Sequence, residues 1–139
     1  MILKFKAVYN PTNSVSTNSF TLDEIASYYE HEWEFSDGSI LPSNDVETGD
    51  LTYLQYMGQN DKNNIELYVG DIVKCKAWSN EYEKSYYEYI SEITFINGVF
   101  SSRVHTEECE DGFYSYGVDE LEKIGNIYEN KELLTKKEG

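Results

Sequence analysis

From Ile2 to Tyr9 the run Ile-Leu-Lys-Phe-Lys-Ala-Val-Tyr alternates apolar and polar residues over its first half, the period of two that a half-buried strand requires. The alternation stops at Asn10-Pro11. Residues 10–19 are almost wholly polar and turn-forming, which predicts a mobile surface loop. The period then changes. Thr21 followed by Glu24 reads as a capping box, Phe20 can staple onto Ile25, and Leu22, Ile25, Ala26 and Tyr29 recur at helical spacing. A helix from about Leu22 to Glu32 is expected, with Asp23, Glu24, Glu30 and nearby Glu34 as an acidic opposite side.

After Trp33 and Phe35, residues 36–50 read as loop. Leu51 to Met57 is a candidate strand and Gly58 to Asn64 an exposed turn. Ile65 to Trp78 should form a strand or strand pair broken at Gly70-Asp71, with Ile72 and Val73 in the core. The turn Asp61-Lys62-Asn63-Asn64 follows from the tolerance of Asn and Asp for left-handed dihedrals. Between Tyr86 and His105, Asn97-Gly98 separates two β-rich runs as a two-residue hairpin does. That turn fixes a register: Ile96 opposite Val99, Phe95 opposite Phe100, Ile93 opposite Ser102 and Glu92 opposite Arg103. The last is an acid–base pair whose exposed form contributes about 0–1 kcal/mol, so it sets register more than stability. A strand from Phe113 to Tyr116, a turn from Val118 to Glu122 and a strand from Lys123 to Tyr128 would complete a small barrel, with a frayed tail after Leu134. The reading is therefore α+β, mostly β: a β-barrel in the C-terminal half, preceded by a strand and one acidic helix. No internal repeat or interdomain linker interrupts residues 1–139, which read as one domain with possible lobes at 1–53 and 54–134 and a tail at 135–139.

Charge changes the picture more than length does. Among 139 residues, 26 acids against 11 bases leave a net charge of −15, which argues against direct binding to a phosphate backbone. No Lys or Arg occurs from Ala7 through Asp61, and a second acid-rich run follows Val104. Disorder is not the consequence, because 40% of residues are hydrophobic and 15% aromatic. The 13 tyrosines exceed what a small core uses, and a ring with a polar tip suits interfaces. Cys75 and Cys109 stand far apart with no secretory leader and no long apolar run, which points to the cytoplasm, no membrane and buried thiols.

One stretch carries a family likeness. Tyr56, Gly58, Asp61, Lys62, Asn63, Tyr68, Gly70, Asp71, Ile72 and Val73, within residues 54–74, are answered downstream by Ile-Gly-Asn-Ile-Tyr-Glu-Asn-Lys-Glu-Leu-Leu over 124–134. Both segments resemble those of the YopX family, with Lys4-Phe5-Lys6-Ala7 a weaker echo of its usual opening. The resemblance implies a phage or prophage origin and a compact β-rich fold with an SH3-like barrel; it implies a scaffold rather than a chemistry. Three positions depart from the pattern: Asn64 for a more usual glycine, Val69 for an acid and Lys131 for proline. From physics alone, Gly70 suits a conformation that other residues resist, and Asp71 should bond to nearby amides.

No reaction chemistry assembles in the sequence. His31, His105, Cys75 and Cys109 lack metal-ligand spacing, no nucleophile elbow or phosphate-binding glycine loop is present, and no cofactor is expected. The expected function is a non-enzymatic phage accessory protein that binds the basic surface of a host protein. That partner would be a nucleic-acid-binding enzyme whose groove accepts carboxylates in place of phosphates, for example one that serves host defence. The alternative is a self-assembling scaffold-like protein, with aromatic surface used between copies and acidity only solubilising. The candidate partner-binding residues are Asp23, Glu24, Glu30, Glu32, Trp33 and Glu34 near the helix, Tyr82 and Glu83 in an acid- and tyrosine-rich run, and Glu107, Glu108, Glu110 and Asp111 in the second.

Overall fold

The computed structural model describes residues 3–26, 31–42, 49–79, 85–96, 99–104 and 118–134. Its first strand, β1 (Lys4–Tyr9), uses both faces. Ala7 joins a cluster with Trp33 and Phe35, while Val8 joins Val15, Leu54 and Tyr68 on the other side. The segment after β1 is not merely a surface loop. Ser14–Val15 forms β2, which folds back to pair Val8 with Val15 and Tyr9 with Ser14. Asn13 makes this possible by taking a left-handed φ of 58° while its amide bonds to the Tyr9 carbonyl at 2.8 Å. Ser16 can be buried because its hydroxyl accepts from the Ala7 amide at 2.9 Å and donates to the Asn18 carbonyl at 2.8 Å. A further short strand, β3 (Phe20–Thr21), pairs with the start of β1.

The capping box forms as read: Thr21 accepts from the Glu24 amide and Glu24 accepts from the Thr21 amide. The helix it starts is a single turn, α1 (Leu22–Ile25), capped at Ala26, rather than a helix reaching Glu32. Glu32–Glu34 is instead a strand, β4, paired antiparallel with β5 (Ile40–Pro42) inside the stretch expected to be loop. Glu32, Trp33, Glu34 and Phe35 alternate exposed and buried, so a period of two overrides helical propensity there.

Beyond this arm the chain is built of longer strands. Strand β6 (Leu51–Asn60) runs antiparallel to β1 and to β7 (Glu66–Tyr68), giving the sheet order β2-β1-β6-β7 with β3 also on β1. The second sheet, of order β10-β9-β8-β11, is built from β8 (Asp71–Ser79), β9 (Ser85–Ile96), β10 (Val99–Val104) and β11 (Val118–Asn126). The register of β9 and β10 is the one the Asn97-Gly98 turn dictates, from Ile96 opposite Val99 to Glu92 opposite Arg103, although the turn residues lie outside the described residues. The break at Gly70-Asp71 also falls where expected, and Ile72 and Val73 are buried. The expected turn at Val118–Glu122 is part of β11, which stays on β8 through two register shifts. The expected strand from Phe113 to Tyr116 and the tail after Leu134 lie outside the described residues.

The result is mostly β, with almost no helix and a curled, half-barrel sheet. Curl comes from bonds between the sheets: the Gly70 amide donates to the Ile93 carbonyl at 2.9 Å, and the Ile127 amide donates to the Gly70 carbonyl at 2.8 Å. Strand β7 divides its side chains between the two interiors. Tyr68 enters the cluster with Val8, and Leu67 enters one with Val73, Cys75 and Ile93. Cys75 is buried there with Sγ 3.1 Å from Ser91 Oγ, and burial pushes its thiol pKa up.

Gly70 has φ 94°, and a Cβ at that position would sit 3.0 Å from Cε2 of Tyr128. Both conformation and space oppose a side chain. Gly70→Ala is expected to cost about 1–3 kcal/mol of unfolding free energy, read from urea denaturation with an unchanged m value.

Candidate functional site

Four of the sequence-derived acids fall on one part of the molecule. Asp23 and Glu24 occupy the first turn of α1, and Glu32 and Glu34 point outward from β4. Asn18 holds β4 beside the loop before β3, donating to the Glu32 carbonyl at 2.9 Å and accepting from the Glu34 amide at 3.1 Å. Trp33, between the two outward acids, is only 1% exposed. Its ring meets Phe20 at 4.8 Å and Tyr53 at 6.1 Å between centroids, so it seats the arm on the sheet and offers no free surface. The accessible apolar groups nearby are Tyr53 beside Trp33, 49% exposed, and Ile40 opposite Glu34, 54% exposed. Glu24 is held below the usual carboxylate range first by the Thr21 amide and then by its hydroxyl. Asp37, at the arm's turn, is held down by Ser39 and Ser14. These carboxylates therefore stay charged. Glu30, Tyr82, Glu83, Glu107, Glu108, Glu110 and Asp111 lie outside the described residues.

A second constellation was not anticipated as a unit. On the β1 face away from the arm, Lys4 Nζ lies 5.1 Å from the Tyr56 ring centroid and Lys6 Nζ 5.0 Å from that of Tyr68. Lys4 also pairs with Glu66, which accepts from the Tyr68 hydroxyl at 3.0 Å. Below them Asp71, 3% exposed, accepts from the Tyr68 amide at 2.8 Å and pairs with Lys123 at 3.2 Å. Burial pushes the Asp71 pKa up despite the pull of Lys123 and the Tyr68 amide. Lys6 is lowered first by burial and then by the charge of Lys123. Charge inside the fold is thus neutralised by a chain of close partners, which makes an electrostatic cross-link rather than an open reactive site.

Glu129 extends the cross-link to the arm. It accepts from the Val15 amide at 3.1 Å, from Asn126 Nδ2 at 2.9 Å and from the Ser36 hydroxyl. Asn126 in turn accepts from the amides of Tyr128 and Glu129, at 3.0 and 2.8 Å. A Cβ at Gly125 would stand 2.7 Å from Asn130 Oδ1, so any side chain there would displace Asn130. The loop after β11 therefore touches β2, the β4–β5 turn and the β7–β8 turn together.

The sequence pattern described as YopX protein matches residues 4–135. This chain belongs to the YopX family. Two solved structures share the fold. Protein EF1440 from Enterococcus faecalis is 22% identical with a TM-score of 0.53, the alignment covering 97% of this chain and 99% of that one. Protein yopX from Bacillus subtilis is 16% identical with a TM-score of 0.51, covering 97% and 100%. No curated protein matches the chain.

The YopX likeness now has a physical content. Its two separated segments are the two halves of one joint: Asn126 pairs with Asp71 across β11 and β8, and Tyr128 packs on Gly70. Asp61, of the same motif, accepts from the amides of Asn63, Ile65 and Lys123 at 2.8–2.9 Å. Asn64, standing for the usual YopX glycine, takes φ 66°, a conformation that asparagine tolerates better than most residues. Glu129 and Asn126 escaped notice as functional groups because their partners lie far away in sequence; the signal available was their place inside the second family segment.

Asp71→Ala removes the partner of Lys123 and leaves the buried Tyr68 amide unsatisfied, so a loss of about 2–4 kcal/mol is expected in urea unfolding. Glu129 gives a pH test. Burial disfavours its charge, but the bonds from Ser36, Asn126 and Val15 outweigh that and lower its pKa from 4.5. A lowered folded pKa means stabilisation that is present above the unfolded value and lost as pH falls through the folded one. Glu129→Gln should lose about 1 kcal/mol at pH ~7 and show a shallower fall in melting temperature between pH ~5 and ~3 than the parent protein.

Proposed function

We propose that this YopX-family chain is a non-enzymatic binding protein whose acidic arm engages a basic protein surface, in the manner of a nucleic-acid mimic. One observation carries the reading: Glu32 and Glu34 are presented outward on a strand seated by Trp33, beside exposed Tyr53 and Ile40, in a stretch with no Lys or Arg from Ala7 through Asp61. Carboxylates of this kind steer association with a positive groove, and apolar groups among them supply contact energy once water is excluded. Asp23 and Glu24 extend the acidic border around the same arm.

A fixed strand also presents its charges at a defined spacing, because alternate residues share one face about 7 Å apart. That spacing is comparable to the separation of successive phosphates along one strand of a nucleic acid. With the phage or prophage origin that family membership implies, the natural target class is a host nucleic-acid enzyme, including those of host defence. The scaffold reading that accompanies this is an SH3-like barrel, supported by the β8-β9-β10 meander, by β11 on the other side of β8 and by the Gly70–Ile93 bond that begins closure.

The test is capture of proteins from host lysate on the immobilised chain, followed by competition. A specific partner should elute with salt and also with duplex DNA. The double variant Glu32→Lys/Glu34→Lys, with melting temperature unchanged, should reduce capture at least about tenfold, since two reversed charges alter both steering and contact. Capture that duplex DNA does not displace, or that survives both reversals at physiological salt, would overturn the mimic reading.

A further inference from the structure

The first half of β6 has an edge that its neighbours leave open. The Asn10 amide donates to the Asp50 carbonyl at 2.8 Å and the Val69 amide to the Gln55 carbonyl at 2.9 Å, so both ends of this stretch have a known orientation. Between them the register with β1 runs unbroken from Leu51 opposite Tyr9 to Gln55 opposite Phe5. Backbone groups alternate sides along a strand, so Thr52 and Leu54 point theirs at β1, whereas Leu51 and Tyr53 point theirs toward the β7 side. Strand β7 does not reach them. It ends at Tyr68, and after Val69 the left-handed φ of Gly70 turns the chain into β8 of the second sheet. Among the described residues no strand pairs with this side of residues 51–53, and the place is accessible, with Thr52 exposed and Tyr53 49% exposed.

An open edge is a template for another strand, and its surroundings select the chemistry of that strand. Asp50 stands at the start of the edge, and Glu32 and Glu34 flank Trp33, whose ring lies 6.1 Å from that of Tyr53. No Lys or Arg occurs from Ala7 through Asp61. A second copy of the chain would bring like charge, −15 on each, so a basic segment is the complementary occupant. In an antiparallel addition the residues opposite Leu51 and Tyr53 share their face, which is the face of Trp33 and the arm.

We propose that this edge of β6 takes up an extended segment of the partner, rich in Lys or Arg at alternate positions, as an added antiparallel strand. Its backbone bonds to Leu51 and Tyr53, and its basic side chains lie on the arm face among the carboxylates. The assignment rests on the acidic-arm reading and specifies how the partner is held: backbone bonds give affinity, and the acids select the side chains.

The probe is the capped hexapeptide (Lys-Val)3, titrated into the 15N-labelled full chain at low salt, with (Glu-Val)3 for comparison. In the free protein the Leu51 and Tyr53 amides should exchange with solvent at least about tenfold faster than those of Thr52 and Leu54. The lysine peptide should give saturable shifts at Leu51 and Tyr53, with half-saturation on the order of 1 mM, and the glutamate peptide none. An added strand uses one of its two edges, so N-methylation of the lysine amides should abolish binding and N-methylation of the valine amides should not. Tyr53→Pro removes an outward N–H and no bond to β1, whereas Tyr53→Ala removes the ring and keeps the N–H; binding should be at least about fivefold weaker in the proline variant. Slow exchange of both amides without peptide would show that the protein's own chain or a second copy holds the edge, and would overturn the proposal. So would equal response to the two methylated peptides. If Tyr53→Pro binds the peptide as Tyr53→Ala does while Glu32→Lys/Glu34→Lys still abolishes capture from lysate, the added strand fails and the acidic-arm reading stands.

Discussion

The structure depends on a joint between two turns that are distant in sequence. The β7–β8 turn contributes Gly70, with its left-handed backbone and bare α-carbon, and Asp71, buried against Lys123. The loop after β11 contributes Tyr128, which occupies the space above Gly70, and the Ile127 amide, which bonds to the Gly70 carbonyl. A buried carboxylate is tolerable only when partners offset its desolvation, and here an amide and a lysine do so together. The order of the two sheets follows, because β7 cannot serve both interiors unless the chain reverses at this point.

Around that joint the molecule separates stiffness from charge. The side chains between the sheets, Lys4, Lys6, Lys123, Asp71 and Glu66, neutralise one another close to tyrosine rings. Among the described residues, Asp23, Glu24, Glu32 and Glu34 belong to α1 and the arm, which sit on the far face of the first sheet. Three of the ten lysines, Lys4, Lys6 and Lys123, are drawn toward this joint, and no lysine falls between Ala7 and Asp61 to dilute the acidic face. The outward negative field and the inward neutral network are thus two results of one distribution of residues.

What the sequence disclosed was local. The capping box, the break at Gly70-Asp71 and the register from Ile96 to Arg103 depend on neighbouring residues or on one tight turn, and each could be read without the fold. The length of α1 is not legible in the sequence because Leu22, Ile25 and Tyr29 give a helical period just ahead of a strand-period signal, Glu32-Trp33-Glu34-Phe35, that is short and rich in acids. Burial of Val15 was hidden for another reason: a run of turn-formers around it carried no apolar periodicity, and only pairing with Val8 gives it a place. The acids of the arm were legible as residues but not as a strand. The seam was least legible, since Glu129 meets Val15 across most of the chain length.

That last contact bears on how the protein is made. A chain emerging from the ribosome presents β1, β2 and the arm early, yet the carboxylate that accepts from Val15 and Ser36 arrives only with residue 129, and the lysine that offsets Asp71 only with residue 123. Contacts of such long sequence separation slow folding and defer it. The first sheet is complete in sequence by Tyr68, but the joint must wait until translation has delivered residues 123–129. In that interval like charge on incomplete chains, −15 over the whole sequence, opposes their association.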